Sequence, residues 1–131
     1  MHNPKKEIIR TDRAPKAIGP YSAGVKTDQL IFTAGQLGII PESGSIVEGG
    51  IENETSQALL NIKHILEDAG SSLDYVVKTT VYLNDMAEFN RMNLIYAEFF
   101  KENPPARSTV QVAALPKSAA VEIEAIALVS R

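Results

Sequence analysis

The chain has 131 residues, 44% apolar and 22% charged, a balance that suits one globular domain around one core and excludes a disordered chain. Its net charge of -3 at pH 7 offers no general attraction to nucleic acid or to an anionic membrane, so neither is expected as a partner. The absence of cysteine removes thiol nucleophiles, thiolate metal sites and disulfides together, and no stretch approaches the ~18 to 20 apolar residues of a membrane span.

Met1 to Arg10 carries Glu7, lacks the apolar run of a secretory leader and is not the acid-free, Ser/Arg-rich start of a transit peptide. A cytoplasmic location is the expectation. In chain order, Lys5 to Arg10 reads as a short first strand. The polar stretch after it holds Pro15, Gly19 and Pro20, which rule out regular helix and central strand as far as Tyr21. Leu30 to Gln36 is a strand-type apolar run, and the turn residues Glu42-Ser43-Gly44-Ser45 before Ile46-Val47 predict a hairpin between the two runs.

From Ile51 to Ala69, the positions Ala58, Leu59, Ile62, Ile65, Leu66 and Ala69 fall at helical spacing, and Gly70 stands where a left-handed cap is wanted. Gln57, Asn61, His64 and Asp68 make up the polar face of that helix. Tyr75 to Leu83, rich in Val, Thr and Tyr, reads as a buried strand, and Asn84-Asp85 can cap a second helix over Ala87 to Phe100. The apolar stripe of this helix is Phe89, Met92, Tyr96, Phe99 and Phe100. Asn93 lies on the same stripe, so a polar side chain is aimed at the core or at an interface. Pro104-Pro105 stops the helix. Two strand-type runs follow, Thr109 to Ala114 and Ala120 to Val129, separated by a Leu115-Pro116-Lys117 turn.

Strands, helix, strand, helix, strands without a linker or repeat suit a single α+β domain over residues 1–131, a two-layer sandwich with both helices on one face of a mixed sheet. In the last strand, Ile123, Ala125, Ala127 and Val129 line one face while Ile126 and Leu128 line the other. Both faces are apolar, so the second one meets either another subunit or a covering loop.

Arg107 follows Pro104-Pro105-Ala106, a stiff approach that limits where its guanidinium points. An arginine fork binds a carboxylate bidentately and stays charged at any working pH; an ordinary surface ion pair is the alternative, and position alone does not decide. Glu122 opens a strand whose same face continues with Glu124, Ile126 and Leu128. At such a boundary a carboxyl gains proton affinity and can act as general acid or base, or it is simply solvated. Tyr21, delivered by Ile18-Gly19-Pro20, is placed either to contact a ligand or to pack, and Asn93 either to donate to a substrate or to satisfy a backbone group.

Other chemistries find no residues. His64 lies on a polar helix face and His2 in the terminal segment, so neither a catalytic triad nor a metal site can be assembled around them. The glycines at 35, 38, 44, 49 and 50 do not form a nucleotide-binding pattern. The basic residues Lys5, Lys6, Arg10, Arg13 and Lys16 are interleaved with Glu7 and Asp12, the pattern of a solvated segment.

Five blocks in order carry a resemblance: Ala14-Pro15 with Ala17-Ile18-Gly19-Pro20-Tyr21-Ser22; Ile31-Phe32-Thr33-Ala34-Gly35-Gln36; Val77-Lys78-Thr79-Thr80-Val81; Pro105-Ala106-Arg107-Ser108; and Leu115-Pro116-Lys117 with Glu122-Ile123-Glu124-Ala125-Ile126-Ala127. From Ala14 to the C-terminus the chain resembles the RidA/YjgF family. The resemblance implies a chorismate-mutase-like fold forming a homotrimer with a pocket at each subunit interface. It implies hydrolysis of enamines and imines such as 2-aminoacrylate and 2-aminocrotonate to 2-keto acids and ammonia, with no cofactor. Carried over by residue, Arg107 would hold the substrate carboxylate, Glu122 would position water and move a proton, Tyr21 and Asn93 would line the pocket, and Thr109 would offer its backbone N–H.

In one respect the chain departs from the pattern: Ala34 stands where the family usually has serine before Gly-Gln, and Thr33 is the neighbouring hydroxyl that would have to stand in. Thr109 takes the place of a frequent cysteine. The departure bears on rate and substrate range more than on reaction class. The family is also associated with an endoribonuclease activity and with inhibition of translation, for which the acidic balance is a poor footprint; a non-catalytic ligand-binding trimer is the third reading.

Overall fold

The computed structural model describes residues 5–130; His2 lies outside them. Helix α1, Ile51–Asp68, follows the expected apolar spacing: Ala58, Leu59, Ile62, Ile65 and Leu66 are all buried. Glu52 and Glu54 sit in its first turn, where negative charge offsets the unpaired N–H groups. At the other end Gly70 takes φ +83. Its N–H bonds the Glu67 carbonyl at 3.1 Å and the Ser71 N–H bonds the Leu66 carbonyl at 2.8 Å, the paired bonds of a Schellman cap.

The strands are β1 (Glu7–Ile9), β2 (Gly24–Lys26), β3 (Leu30–Thr33), β4 (Gln36–Leu37), β5 (Val76–Leu83), β6 (Ala106–Gln111) and β7 (Val121–Leu128). They form one mixed sheet in the order β1-β2-β3-β7-β5-β6, with β4 also paired to β7. All pairs are antiparallel except β5 with β6, whose parallel crossover runs through helix α2, Phe89–Phe99. Asp85 accepts from the Ala87 N–H at 2.9 Å and starts a short 3-10 turn that leads into α2. Both helices cover one face of the sheet. This is the expected two-layer α+β sandwich.

Alternation sorts the two faces. Along β7, Val121, Ile123, Ala125 and Ala127 are at most 2% exposed under the helices, while Leu128 on the other face is 44% exposed. That second face also carries the exposed Phe32 and Val110, and no element among the described residues covers it.

Four local expectations are corrected. The strand β2 was not foreseen, since three residues beginning with glycine leave too short a pattern to read. The expected hairpin between Leu30–Gln36 and Ile46-Val47 is replaced by a single bridge from Ile46 to Ile39, because both edges of β3 are taken by β2 and β7. Strand β6 begins at Ala106 and not at Thr109, which puts Arg107 inside the strand. Asn61 is fully buried, donating to the carbonyls of Leu37 and Ile39 at 3.2 and 2.9 Å; the polar face of α1 is in this turn a clasp on the end of β4.

Candidate active site

Glu122 is held by a break in the sheet. Phe32 pairs with Ile126 and Gln36 with Ile123, so Thr33, Ala34 and Gly35 on one side face only Ala125 and Glu124 on the other. The extra residue is a bulge. The Thr33 hydroxyl accepts from the Ala125 N–H at 3.0 Å inside the sheet, and Ala34 bonds back to the Ala23 carbonyl at 2.8 Å. Gly35 is then left beside the Glu122 side chain. A Cβ on Gly35 would stand 2.4 Å from Oε2 of Glu122, so only glycine allows the carboxyl to lie there.

The carboxyl faces a cavity of about 630 Å³ lined also by Tyr21, Ala34, Gln36, Lys16 and Lys117. Among the described residues it accepts no hydrogen bond. Burial raises its proton affinity above the ordinary carboxylate range, and the charge of Glu124 adds to this. Lys117 enters through a strained turn, with φ +58 at Lys117 and +55 at Ser118. Two consecutive non-glycine residues in the left-handed region are uncommon and costly. Here they follow Pro116 and turn the chain into β7.

Arg107 belongs to a second cluster. Its Nη1 donates to Oδ1 of Asn93 at 2.7 Å, and its guanidinium carbon lies 4.7 Å from the centre of the Tyr96 ring and 5.5 Å from that of Phe89. These are cation–π distances. The Tyr96 hydroxyl in turn meets the buried Thr79 hydroxyl at 2.7 Å. Asn93 therefore does sit on the stripe of α2, aimed at a strand. Thr109, two residues on from Arg107 on the same face of the edge strand β6, has a buried hydroxyl oxygen without a partner among the described residues.

The structure thus brings together Tyr21 with Glu122, and Arg107 with Asn93 and Thr109, but does not bring the two groups together within one chain. Register explains why. Arg107 pairs with Thr79 on the helix-covered face, whereas Glu122 pairs with Tyr82 on the open face. Sequence reasoning missed Gly35, Tyr96 and Lys117. A glycine between two strand segments is a signal for close approach that would have singled out Gly35; nothing in the pattern marks Tyr96 as more than core.

A family model described as Endoribonuclease L-PSP matches residues 11–129. The chain belongs to this family. Among Endoribonuclease L-PSP relatives, the human protein named 2-iminobutanoate/2-iminopropanoate deaminase is 50% identical over 94% of this chain and 90% of its own. A RutC family protein of Pyrococcus abyssi is 53% identical over 93% of this chain and 96% of its own. The crystal structure of E. coli TdcF with bound serine superposes with a TM-score of 0.90 at 42% identity, covering 95% of this chain and 99% of that one. The RidA/YjgF resemblance and the α+β fold of a single chain both hold.

Proposed function

We propose that this chain is an enamine/imine deaminase that hydrolyses 2-aminoacrylate- or 2-aminocrotonate-type intermediates to the 2-keto acid and ammonia. The observation that carries the reading is a half-buried carboxyl of raised proton affinity, Glu122, facing a cavity without a hydrogen-bond partner among the described residues. In a member of this family, such a group suits a substrate that must gain a proton and then accept water.

The enamine first takes a proton on its terminal carbon from the Glu122 carboxyl, which makes the iminium. The resulting carboxylate takes a proton from water as the oxygen adds to the imine carbon. The carbinolamine then collapses to the keto acid and ammonia, so one water is consumed and Glu122 is restored. An already labile substrate needs orientation and proton transfer more than a strong nucleophile, and a helper of this kind typically contributes about 100- to 10,000-fold.

Arg107 holds the substrate carboxylate. Its guanidinium is flattened against Tyr96 and steered by Asn93, and Thr109 offers its N–H from the edge of β6. Because Arg107 and Glu122 lie on opposite faces, the site is completed between copies of the chain. A homotrimer that covers the open face around Phe32, Val110 and Leu128 meets that need. The enzyme is cytoplasmic in this reading; no helix among the described residues is long and apolar enough to cross a membrane.

The test is release of pyruvate or 2-ketobutyrate from serine or threonine in the presence of a dehydratase, measured against the spontaneous rate. Removing a hydrogen bond to a charged group costs about 1.5–3 kcal/mol, so Arg107→Ala should lose about ten- to a hundredfold in kcat/KM. Equal rates for wild type and Arg107→Ala would sink the proposal. A ligand-binding trimer would instead gain thermal stability from a keto acid without turnover, and a ribonuclease would cleave RNA with a steep dependence on salt.

A further inference from the structure

The open face of the sheet carries a pair of side chains that the reaction above does not use. Glu124 follows Glu122 by two residues on β7, so both leave the strand on the same face. Tyr82 stands directly opposite Glu122 in the ladder between β5 and β7. Its hydroxyl does not turn to Glu122 but donates to Oε1 of Glu124 at 2.6 Å. The bond runs diagonally across the two strands and ties down a carboxylate that would otherwise be free to rotate into solvent.

The donor in this bond is secure. The Tyr82 hydroxyl is pushed up to about 12, first by the bond to Glu124 and then by burial, so it keeps its proton at any working pH. The other charged and titratable groups around Glu122 do not cancel the effect of Glu124. Lys117 turns its ammonium to the Gly44 carbonyl at 3.3 Å, and Lys78 on β5 turns to the Ser108 hydroxyl at 2.9 Å. Lys16 and Tyr21 line the cavity from the loop before β2. Glu54 lies on the helix side, bound to the Ala120 N–H at 2.8 Å. None of them forms an ion pair with Glu122 among the described residues, and Glu124 is the one whose charge bears on it.

We propose that Glu124, held in place by Tyr82, is a positioning residue that keeps a proton on Glu122 for the first step of the reaction. This inference rests on the deaminase reading. An enamine must be protonated on carbon before water attacks, so the resting enzyme needs a carboxylic acid and not a carboxylate. Glu124 leaves the same face of β7 two residues on, and its charge adds to burial in raising the proton affinity of Glu122. The hydrogen bond donated by Tyr82 fixes the Glu124 carboxylate on that face, where its charge bears on Glu122.

The experiment follows the Glu122 carboxyl by carbon-13 NMR titration and kcat/KM by keto-acid release across pH, in wild type, Glu124→Gln and Tyr82→Phe, with Glu122→Gln as control. In Glu124→Gln, the Glu122 titration and the alkaline fall in kcat/KM should both move to lower pH. Tyr82→Phe should move them in the same direction by less. Loss of packing alone would change the melting temperature and the absolute rate but not the position of the titration. An unmoved titration of Glu122 in an active Glu124→Gln enzyme overturns the role of Glu124. A wild type that does not accelerate deamination overturns the deaminase reading, whereas a Glu122→Gln variant as fast as wild type leaves that reading standing and overturns the proton-transfer step, and the role of Glu124 with it.

Discussion

Arg107 and Glu122 stand on opposite faces of one sheet, the first against Tyr96 and Asn93 under the helices, the second against Gly35 in the open cavity. Their strands are separated only by β5, yet the alternation of side chains keeps them apart. A site that uses both takes the guanidinium from one protomer and the carboxyl from its neighbour.

Complementation follows from that geometry. Arg107→Ala alone should keep about 1–10% of wild-type activity and Glu122→Gln about 1% or less, while the proposed trimers refolded from an equal mixture should regain about a quarter, the share of interfaces that pair an intact arginine with an intact glutamate. Keto-acid release measures the recovery, and native mass spectrometry verifies that the trimers are mixed. Verified mixed trimers without recovery would rule out a site shared in this way.

Two glycines should behave in opposite ways. In Gly35→Ala the new Cβ meets the far end of the Glu122 side chain, which can rotate away, so the fold survives and the carboxyl leaves its place. The expected loss in kcat approaches the about 100- to 10,000-fold that a proton-transfer group contributes. In Gly38→Ala the Cβ falls 2.7 Å from the backbone Cα and carbonyl oxygen of Glu54. Backbone cannot step aside, and overpacking of this kind costs about 1–3 kcal/mol of stability. Thermal melts and rates on both variants check the contrast; an active Gly35→Ala enzyme would remove Glu122 from the chemistry.

The elements with long, clean periods were legible in the sequence. Helix α1, with its apolar repeat and Gly70, and strands β5 and β7 lie close to where the spacing puts them. What failed were short or edge elements, whose residues are not sorted by burial: β2 has three residues, and β6, at the edge of the sheet, mixes Arg107 and Ser108 into a run that reads as loop. Asn61 misled for a related reason, since a helical wheel cannot tell an exposed amide from one that satisfies the carbonyls of Leu37 and Ile39. The candidate site residues Arg107, Glu122, Tyr21 and Asn93 stand out by position but gain a shared role only from the family resemblance. Their division between two faces depends on strand register, which becomes readable only when β6 is placed from Ala106 and not Thr109.

Ala34 and Thr33 separate a chemical role from a structural one. The Thr33 hydroxyl is already committed to the Ala125 N–H and does not replace the missing serine in the cavity. Ala34→Ser should therefore raise kcat/KM severalfold by giving Glu122 or the substrate a hydroxyl partner, with stability changed by no more than about 0.5 kcal/mol. Thr33→Val leaves a buried N–H without an acceptor and should cost about 1–3 kcal/mol. Steady-state kinetics beside thermal melts measure both. A rate unchanged or lowered in Ala34→Ser would show that the pocket works with an apolar wall.

The two ends of α1 should respond to pH with opposite signs. The Asp68 carboxylate is held below its ordinary 3.8 by the hydrogen bond from Arg13 and then by that from Thr11. The unfolded chain therefore binds the proton first as pH falls, and the stabilisation present above 3.8 is lost on the way down through the folded value. Glu54 is the reverse: burial lifts it above its ordinary 4.5, and the Ala120 N–H offsets only part of that. As pH climbs through 4.5 the unfolded chain ionises first, so the folded protein loses stability until the raised value is passed. Asp68→Asn should melt below wild type at pH 7, with the gap closing in acid. Glu54→Gln, which keeps an oxygen for the Ala120 N–H, should melt above wild type at pH 7 and match it in acid, where both side chains are neutral. Melting curves from pH 3 to 8 decide the matter; differences that do not vary with pH would mean that neither carboxyl contributes through its charge.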